Sequence, residues 1–197
     1  MPFAPGMGGW VLVVIGAVAL LFIIWLAGTY NSLVTLRNLV RNSWHNIDTE
    51  LRRRYDLIPN LVETVKGYAK HEREVFRHVT EARAKALANN GPPASQAGDE
   101  NALVAALKSL FAVSERYPQL KASDNFLSLQ RELVNTEDRI QAARRFYNGN
   151  VKDLNTRCEL FPSNIVAGLF GFRREDYFEV ESLDARAPVS ADFTRRG

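Results

Sequence analysis

NSLVTLRNLVRNSWHNIDTELRRRYDLIPNLVETVKGYAK, residues 31–70, is the stretch on which the fold turns. Its apolar side chains fall at Leu33, Leu36, Val40, Trp44, Ile47, Leu51, Tyr55, Ile58, Val62 and Val65, and the series resumes at Ala69, Phe76 and Val79. Steps of three and four place these residues on one side of a 3.6-residue turn, so the spacing predicts a long amphipathic helix from near Tyr30 to about Ala88. Pro59 lies inside it. A fresh helix opening at Pro59 would make Ile58 its N-cap, and isoleucine has no side-chain acceptor for the first free N–H groups. A kinked but continuous helix is therefore expected.

Toward the N-terminus the pattern changes from amphipathic to wholly apolar. No Asp, Glu, Lys, Arg or His occurs before Arg37, and residues 10–26 read WVLVVIGAVALLFIIWL. Taken as residues 9–28, this segment forms a helix of about 30 Å, the thickness of a bilayer's hydrocarbon. Trp10 at one end, with Trp25 and Tyr30 at the other, sits where interfacial aromatic anchors are favoured. A cleaved signal peptide would carry Lys or Arg ahead of its apolar run, and this one has neither, so a retained transmembrane helix is expected. The chain divides accordingly into residues 1–29 with the span, residues 30–181 as a helical domain, and residues 182–197 as a flexible tail. The first cations past the span, Arg37 and Arg41, place the domain in the cytoplasm by positive-inside logic.

Toward the C-terminus, NNGPPASQAGDE at residues 89–100 reads as a flexible loop. A second helix is expected over about 101–116, with Leu103, Leu107, Leu110 and Val113 inward, and Tyr117-Pro118 then breaks the chain. Ser123 or Asp124 can cap a third helix, whose stripe runs Phe126, Leu129, Leu133, Thr136, Ile140, Ala143, Tyr147, Val151, Leu154 and Cys158. Beyond Pro162, Ser163 can cap the short apolar helix SNIVAGLFGF, and residues 173–181 alternate without a clear period. No strand emerges. The class is all-α, an N-terminal transmembrane helix followed by a bundle of three to four helices in which the stripes cover one another.

Composition narrows the function. The 25 Lys and Arg against 22 Asp and Glu are interspersed rather than gathered, which argues against a nucleic-acid partner. The one cysteine, Cys158, forms no internal disulfide and reads as a structural buried thiol. HEREVFRH at residues 71–78 has its second histidine seven positions after the first instead of four, so the helical zinc-protease geometry is missing. His71, Glu74 and His78 read instead as a solvated polar face. With no nucleophile motif and no Glu-x-x-His pair, neither catalysis nor a metal or other cofactor is expected.

The cluster that stands out is Arg52-Arg53-Arg54-Tyr55-Asp56 followed by Pro59-Asn60. A proline within a helix frees the carbonyl four residues back, here that of Tyr55, and Asn60 or an arginine could supply the missing donor. Arg54, Tyr55, Asp56, Pro59 and Asn60 are thus the candidate motif. In a structural role Asp56 pairs with a basic neighbour and the kink shapes the bundle; in the other the motif is a surface for a partner or for self-assembly. Gly67 and Gly168 are expected at close helix approaches. Phe170, Phe172, Tyr177 and Phe178 either cover the end of the bundle or lie on lipid headgroups.

Several stretches resemble the LemA family of bacterial membrane proteins: RRYDLIPNLVETVKGYAKHE (53–72), YNSLVTLRNLV (30–40), VSERYPQLKAS (113–123), FLSLQRELVNTEDRI (126–140), ARRFYNGNV (143–151) and FPSNIVAGLFGF (161–172). The resemblance implies an N-terminal anchor in the inner membrane, an elongated antiparallel helical bundle and no established enzymatic activity. Some members look like lipoproteins, but this chain has Leu26-Ala27-Gly28-Thr29 where they carry the lipidated cysteine. Lipidated relatives would display the bundle outside the inner membrane, so the extracytoplasmic side stands as the alternative to the cytoplasmic one. The function expected is a membrane-tethered scaffold, working as a homo-oligomer or by docking a membrane protein partner. The alternatives are an accessory subunit of a membrane enzyme such as a quality-control protease, and, through the family's magnetosome branch, membrane remodelling.

Overall fold

A computed structural model describes residues 7–183. It contains α1 Met7–Tyr68, α2 Arg73–Ala88, α3 Pro93–Ser114, α4 Pro118–Lys121, α5 Asp124–Glu159 and α6 Ser163–Leu169, and no strand among the described residues. The expected tail lies almost wholly outside them. Two compact units are built from these helices, one from α1 up to Ser43 with Gly149–Glu175, the other from Trp44–Asn148 with the chain from Asp176 onward.

The second unit packs the later half of α1 with α2, α3 and most of α5. Ile47, Leu51, Ile58, Leu61 and Val65 of α1 are buried, as are Val79, Leu103, Leu107, Leu110, Leu133 and Ile140 on the other helices. α1 passes through Pro59 without a break. It stops at Tyr68, however, rather than continuing to Ala88. Residues 69–72 turn the chain, with the Ala69 N–H donating to the Val65 carbonyl (2.9 Å) and the Glu72 N–H to the Ala69 carbonyl (3.1 Å). Glu72 is also held by Arg116 at 2.8 Å. Because this turn consumes about one helical turn of sequence, Ala69, Phe76 and Val79 keep their spacing and the stripe reads as unbroken.

The expected loop at 89–100 is mostly helix. Pro93 opens α3, where its missing N–H costs nothing, and only residues 89–92 connect it to α2. The Asn89 side chain closes that connection, accepting from the Gly91 N–H (2.8 Å) and donating to Asp99 (2.6 Å). Ala97 and Glu100, read as loop residues, are buried in the first turns of α3.

In the first unit, Asn150 of α5 donates to Ser43 Oγ (3.3 Å) and α5 runs antiparallel to α1. Ser163 does not cap α6, whose N-cap is Pro162. Its hydroxyl donates backward to the carbonyls of Arg157 (2.7 Å) and Leu160 (2.9 Å), closing the end of α5.

Residues 173–181 are extended, and asparagine side chains satisfy their backbone. In the first unit Asn155 both accepts from the Glu175 N–H (2.9 Å) and donates to its carbonyl (3.0 Å). In the second, Asn148 clasps Phe178 in the same way (2.9 and 3.0 Å), and Asn101 joins the Glu181 N–H (2.7 Å) to the Glu179 carbonyl (3.2 Å). Tyr147 donates to the Asp176 carbonyl at 2.8 Å and Arg144 to that of Val180. Phe178 and Val180 point inward while Glu179 and Glu181 face out, the period of two of an extended chain. The strap thus needs no sheet, because side chains from the helices stand in for a neighbouring strand.

Candidate functional site

Three adjacent arginines on α1 meet three different fates. Arg52 turns outward to Asp48 (3.0 Å) and Arg53 reaches Glu50 (3.5 Å), whereas Arg54 turns into the second unit. One Arg54 nitrogen contacts Glu137 of α5 at 3.0 Å and another bonds Glu100 of α3. The three side chains are 0, 3 and 2% exposed, respectively. The Tyr55 hydroxyl donates to the other Glu100 oxygen, and Gln141 donates to Glu137 at 2.6 Å. One cation and two carboxylates therefore pin three helices together, with Arg54 Nε left as a buried N–H without a partner among the described residues. Burial, and after it the Glu100 carboxylate, pushes the Tyr55 phenol well above its ordinary value.

The same turn of α1 carries the proline defect. Pro59 removes the N–H that would serve the Tyr55 carbonyl, and Arg83 Nε of α2 donates to that carbonyl at 2.7 Å. The donor comes from the returning helix, neither from Asn60 nor from the adjacent arginines. Asp56, Pro59 and Asn60 lie on the exposed side, and Asp56 forms no ion pair among the described residues because Arg52 to Arg54 are engaged elsewhere. Of the candidate motif, the structure brings Arg54 and Tyr55 together with Glu100 and Glu137 inside the bundle and leaves the other three residues at the surface.

Glu100, Glu137 and Arg83 were not singled out in the sequence. A signal for Glu137 existed: it follows Thr136 within the apolar stripe of the third helix, and both are buried. Glu100 was hidden by the loop reading of its neighbourhood.

The remaining expected groups are dispersed. Glu74 pairs with Arg77, which holds its carboxyl below the usual range, and His78 lies 3.2 Å from Glu74 on an open face. Among the described residues no cluster of His, Cys, Asp and Glu could hold a metal ion. Cys158 is half-buried, and burial pushes its thiol up, away from the reactive thiolate. Neither Gly67 nor Gly168 has a neighbour within 4 Å of where a Cβ would stand, so neither marks the close approach expected of it. The four C-terminal aromatics divide: Phe178 is buried against Trp44 (centroids 5.2 Å) and Phe172 against Tyr30 (5.8 Å), whereas Phe170 and Tyr177 are exposed.

The apolar segment at the start of α1 is not covered by the rest of the chain among the described residues. Trp10 and the residues through Ile24 are exposed, and this is the one helix among the described residues long and apolar enough to cross a membrane. Trp25 and Tyr30 stand at its far end.

The LemA family profile matches residues 43–193, covering the Arg54 pin, the Pro59 turn and the strap. Magnetosome protein MamQ 2 of Paramagnetospirillum magneticum is 29% identical over 183 aligned positions, spanning 80% of this chain and 67% of its own length. MamQ of Magnetospirillum gryphiswaldense is 28% identical with the same coverage. Protein LemA of Metamycoplasma hominis is 27% identical over 161 positions, 80% of this chain and 72% of that protein. None of these names designates an enzyme. With its apolar anchor helix, its all-helical body and a profile match over most of its length, the chain belongs to the LemA family of membrane-associated proteins.

Proposed function

We propose that this protein is a non-enzymatic scaffold anchored in the inner membrane of the bacterial envelope by one span, acting through self-association or by docking a membrane protein partner. The observation that carries the reading is the sealed pin. Arg54, Glu100 and Glu137 are at most 3% exposed, and a side chain without access to solvent meets no substrate. Arg54, the one buried arginine of the Arg52–Arg54 run, is thereby spent on joining helices, and action falls to the exposed helix surfaces held beside the membrane. Arg37 and Arg41, following the span, favour the cytoplasmic side.

Crosslinking the full-length protein in native membranes, followed by mass spectrometry, tests this. Dominant self-crosslinks between the soluble segments support a homo-oligomeric scaffold, and one recurrent foreign membrane protein supports docking, including docking to a protease as its accessory subunit. A monodisperse monomer in mild detergent that yields no crosslinked partner refutes the proposal. A second reading, membrane remodelling, is favoured by apolar side chains left exposed beside the span at α6; vesicles that keep their shape at high protein density refute it.

A further inference from the structure

The first unit leaves apolar surface uncovered at a second place besides the span. Leu160, Phe161, Ile165, Leu169 and Phe170 are all exposed, Phe161 and Leu169 at 79 and 73%. Ile165 and Leu169, four apart, share a face of α6, and Phe161 just ahead of the helix is exposed as well, while Ser163, Val166 and Ala167 turn the opposite side of α6 inward. The outward face is fixed in place. The Ser163 hydroxyl ties the start of α6 to the end of α5, and Phe172, just past its end, is held by the Tyr30 ring (5.8 Å) and the Arg37 guanidinium (4.8 Å).

The position of that face in the unit says what covers it. The Phe170 ring meets Tyr30 with centroids 4.8 Å apart, and Tyr30 is one helical turn past Leu26, the last residue of the apolar run. Along α1, Leu26 and Thr29 are the next residues after the exposed apolar stretch to lose exposure, and Leu33 is the first to be fully buried. The covering structure therefore reaches the final turn of the span, the depth at which hydrocarbon gives way to headgroups. Arg157 and Arg173, on either side of the apolar segment, are exposed and have no carboxylate within 4 Å among the described residues, as suits anionic headgroups. An apolar face bordered by arginines at the end of a membrane span has the chemistry of an interfacial helix.

We propose that residues 160–170 form a second membrane contact, with α6 lying in the headgroup region of the leaflet where the span ends. The chain is then held to the bilayer by two elements, and its first unit is fixed against rotation about the span. This inference rests on the span and not on the scaffold reading, so either can fail without the other.

Nitroxide labels test it in the full-length chain carrying Cys158→Ser, reconstituted into vesicles of phosphatidylcholine and phosphatidylglycerol. Labels are placed singly through Ile165→Cys and Leu169→Cys on α6, Leu20→Cys in the span as the membrane reference, and Lys152→Cys on the exposed side of α5 as the aqueous one. Collision with oxygen and with a water-soluble nickel complex is measured for each. Both α6 labels are expected to be open to oxygen and shielded from nickel, at a depth of roughly 5–10 Å below the phosphates. Water-like accessibility at both α6 positions, with the Leu20 label still in the membrane, overturns the proposal. So does shielding from both reagents together, since that is the signature of a protein surface such as a second copy of this chain.

Discussion

Replacing Arg54 with leucine removes the cation from a site that retains two carboxylates. The Arg54, Glu100 and Glu137 side chains are 0, 2 and 3% exposed, so hydration does little to compensate the charges left behind, and Tyr55 and Gln141 already donate to the same carboxylates. Breaking one partner out of a buried ion cluster costs about 3–5 kcal/mol. For a folded portion of this size that lowers Tm by roughly 6–20 °C. The assay is thermal unfolding of the full-length protein in nanodiscs, followed by circular dichroism at 222 nm, with the span expected to remain helical throughout. A second variant isolates the charge: Arg54→Leu combined with Glu100→Gln and Glu137→Gln keeps acceptors for Tyr55 and Gln141 without leaving net charge, and is expected to recover most of the loss. If Arg54→Leu alone lowers Tm by less than about 2 °C, under 1 kcal/mol on the same scale, the pin does not hold the bundle together and the reasoning is wrong.

The proline defect makes a double-mutant cycle informative: Arg83→Met should cost about 1–3 kcal/mol by stranding the Tyr55 carbonyl, and appreciably less in a Pro59→Ala background, where the substituted residue supplies the missing N–H. Equal costs in both backgrounds would show that Arg83 does not serve the defect. Tyr55 should make stability sensitive to alkali. Its phenol is raised above the ordinary value of 10.0, so the unfolded chain ionises first, and stability is full below about pH 10 and falls above it by up to about 1.4 kcal/mol per pH unit. Tyr55→Phe should flatten that fall in urea titrations at pH 9 to 11, and parallel pH profiles would contradict it. Asn148→Leu should release the strap, costing about 1–3 kcal/mol and speeding hydrogen exchange at the Phe178 amide while α2 amides stay protected; unchanged Phe178 exchange would dismiss the clasp.

The helices were legible because their stripes are long and regular: Leu33 through Val65, and Phe126 through Leu154, read correctly as helix faces, and the residues on them are largely buried. What periodicity does not carry is phase-preserving interruption. The turn at residues 69–72 replaces about one helical turn, so Phe76 continues the same series from another helix. Composition misled at 89–100, where two prolines and two glycines suggested a loop, although proline is well placed in the first turn of α3 and Gly98 is carried within it. At the motif, the sequence exposed the demand at the Tyr55 carbonyl but not its supplier, since Arg83 arrives only because α2 folds back. Glu100 and Glu137 reach Arg54 across 46 and 83 residues, and pairing over such distances leaves no local pattern. The strap was illegible for a related reason: its partners are polar residues scattered over two helices.

The strap also bears on how the chain is made. Its contacts in the second unit close only when Phe178 and Val180 dock and the amides of Asn101 and Asn148 find backbone partners, and Phe178 and Val180 are made after every helix they dock on. Synthesis delivers α1, α2, α3 and α5 first, at roughly 5–20 residues per second. Until the strap arrives, the Trp44 ring lacks the cover of Phe178 and the asparagine amides lack their backbone partners. A polypeptide that stops short of Phe178 therefore carries an apolar scar that one extending through the strap does not, and a few residues of the strap separate a covered Trp44 from an open one.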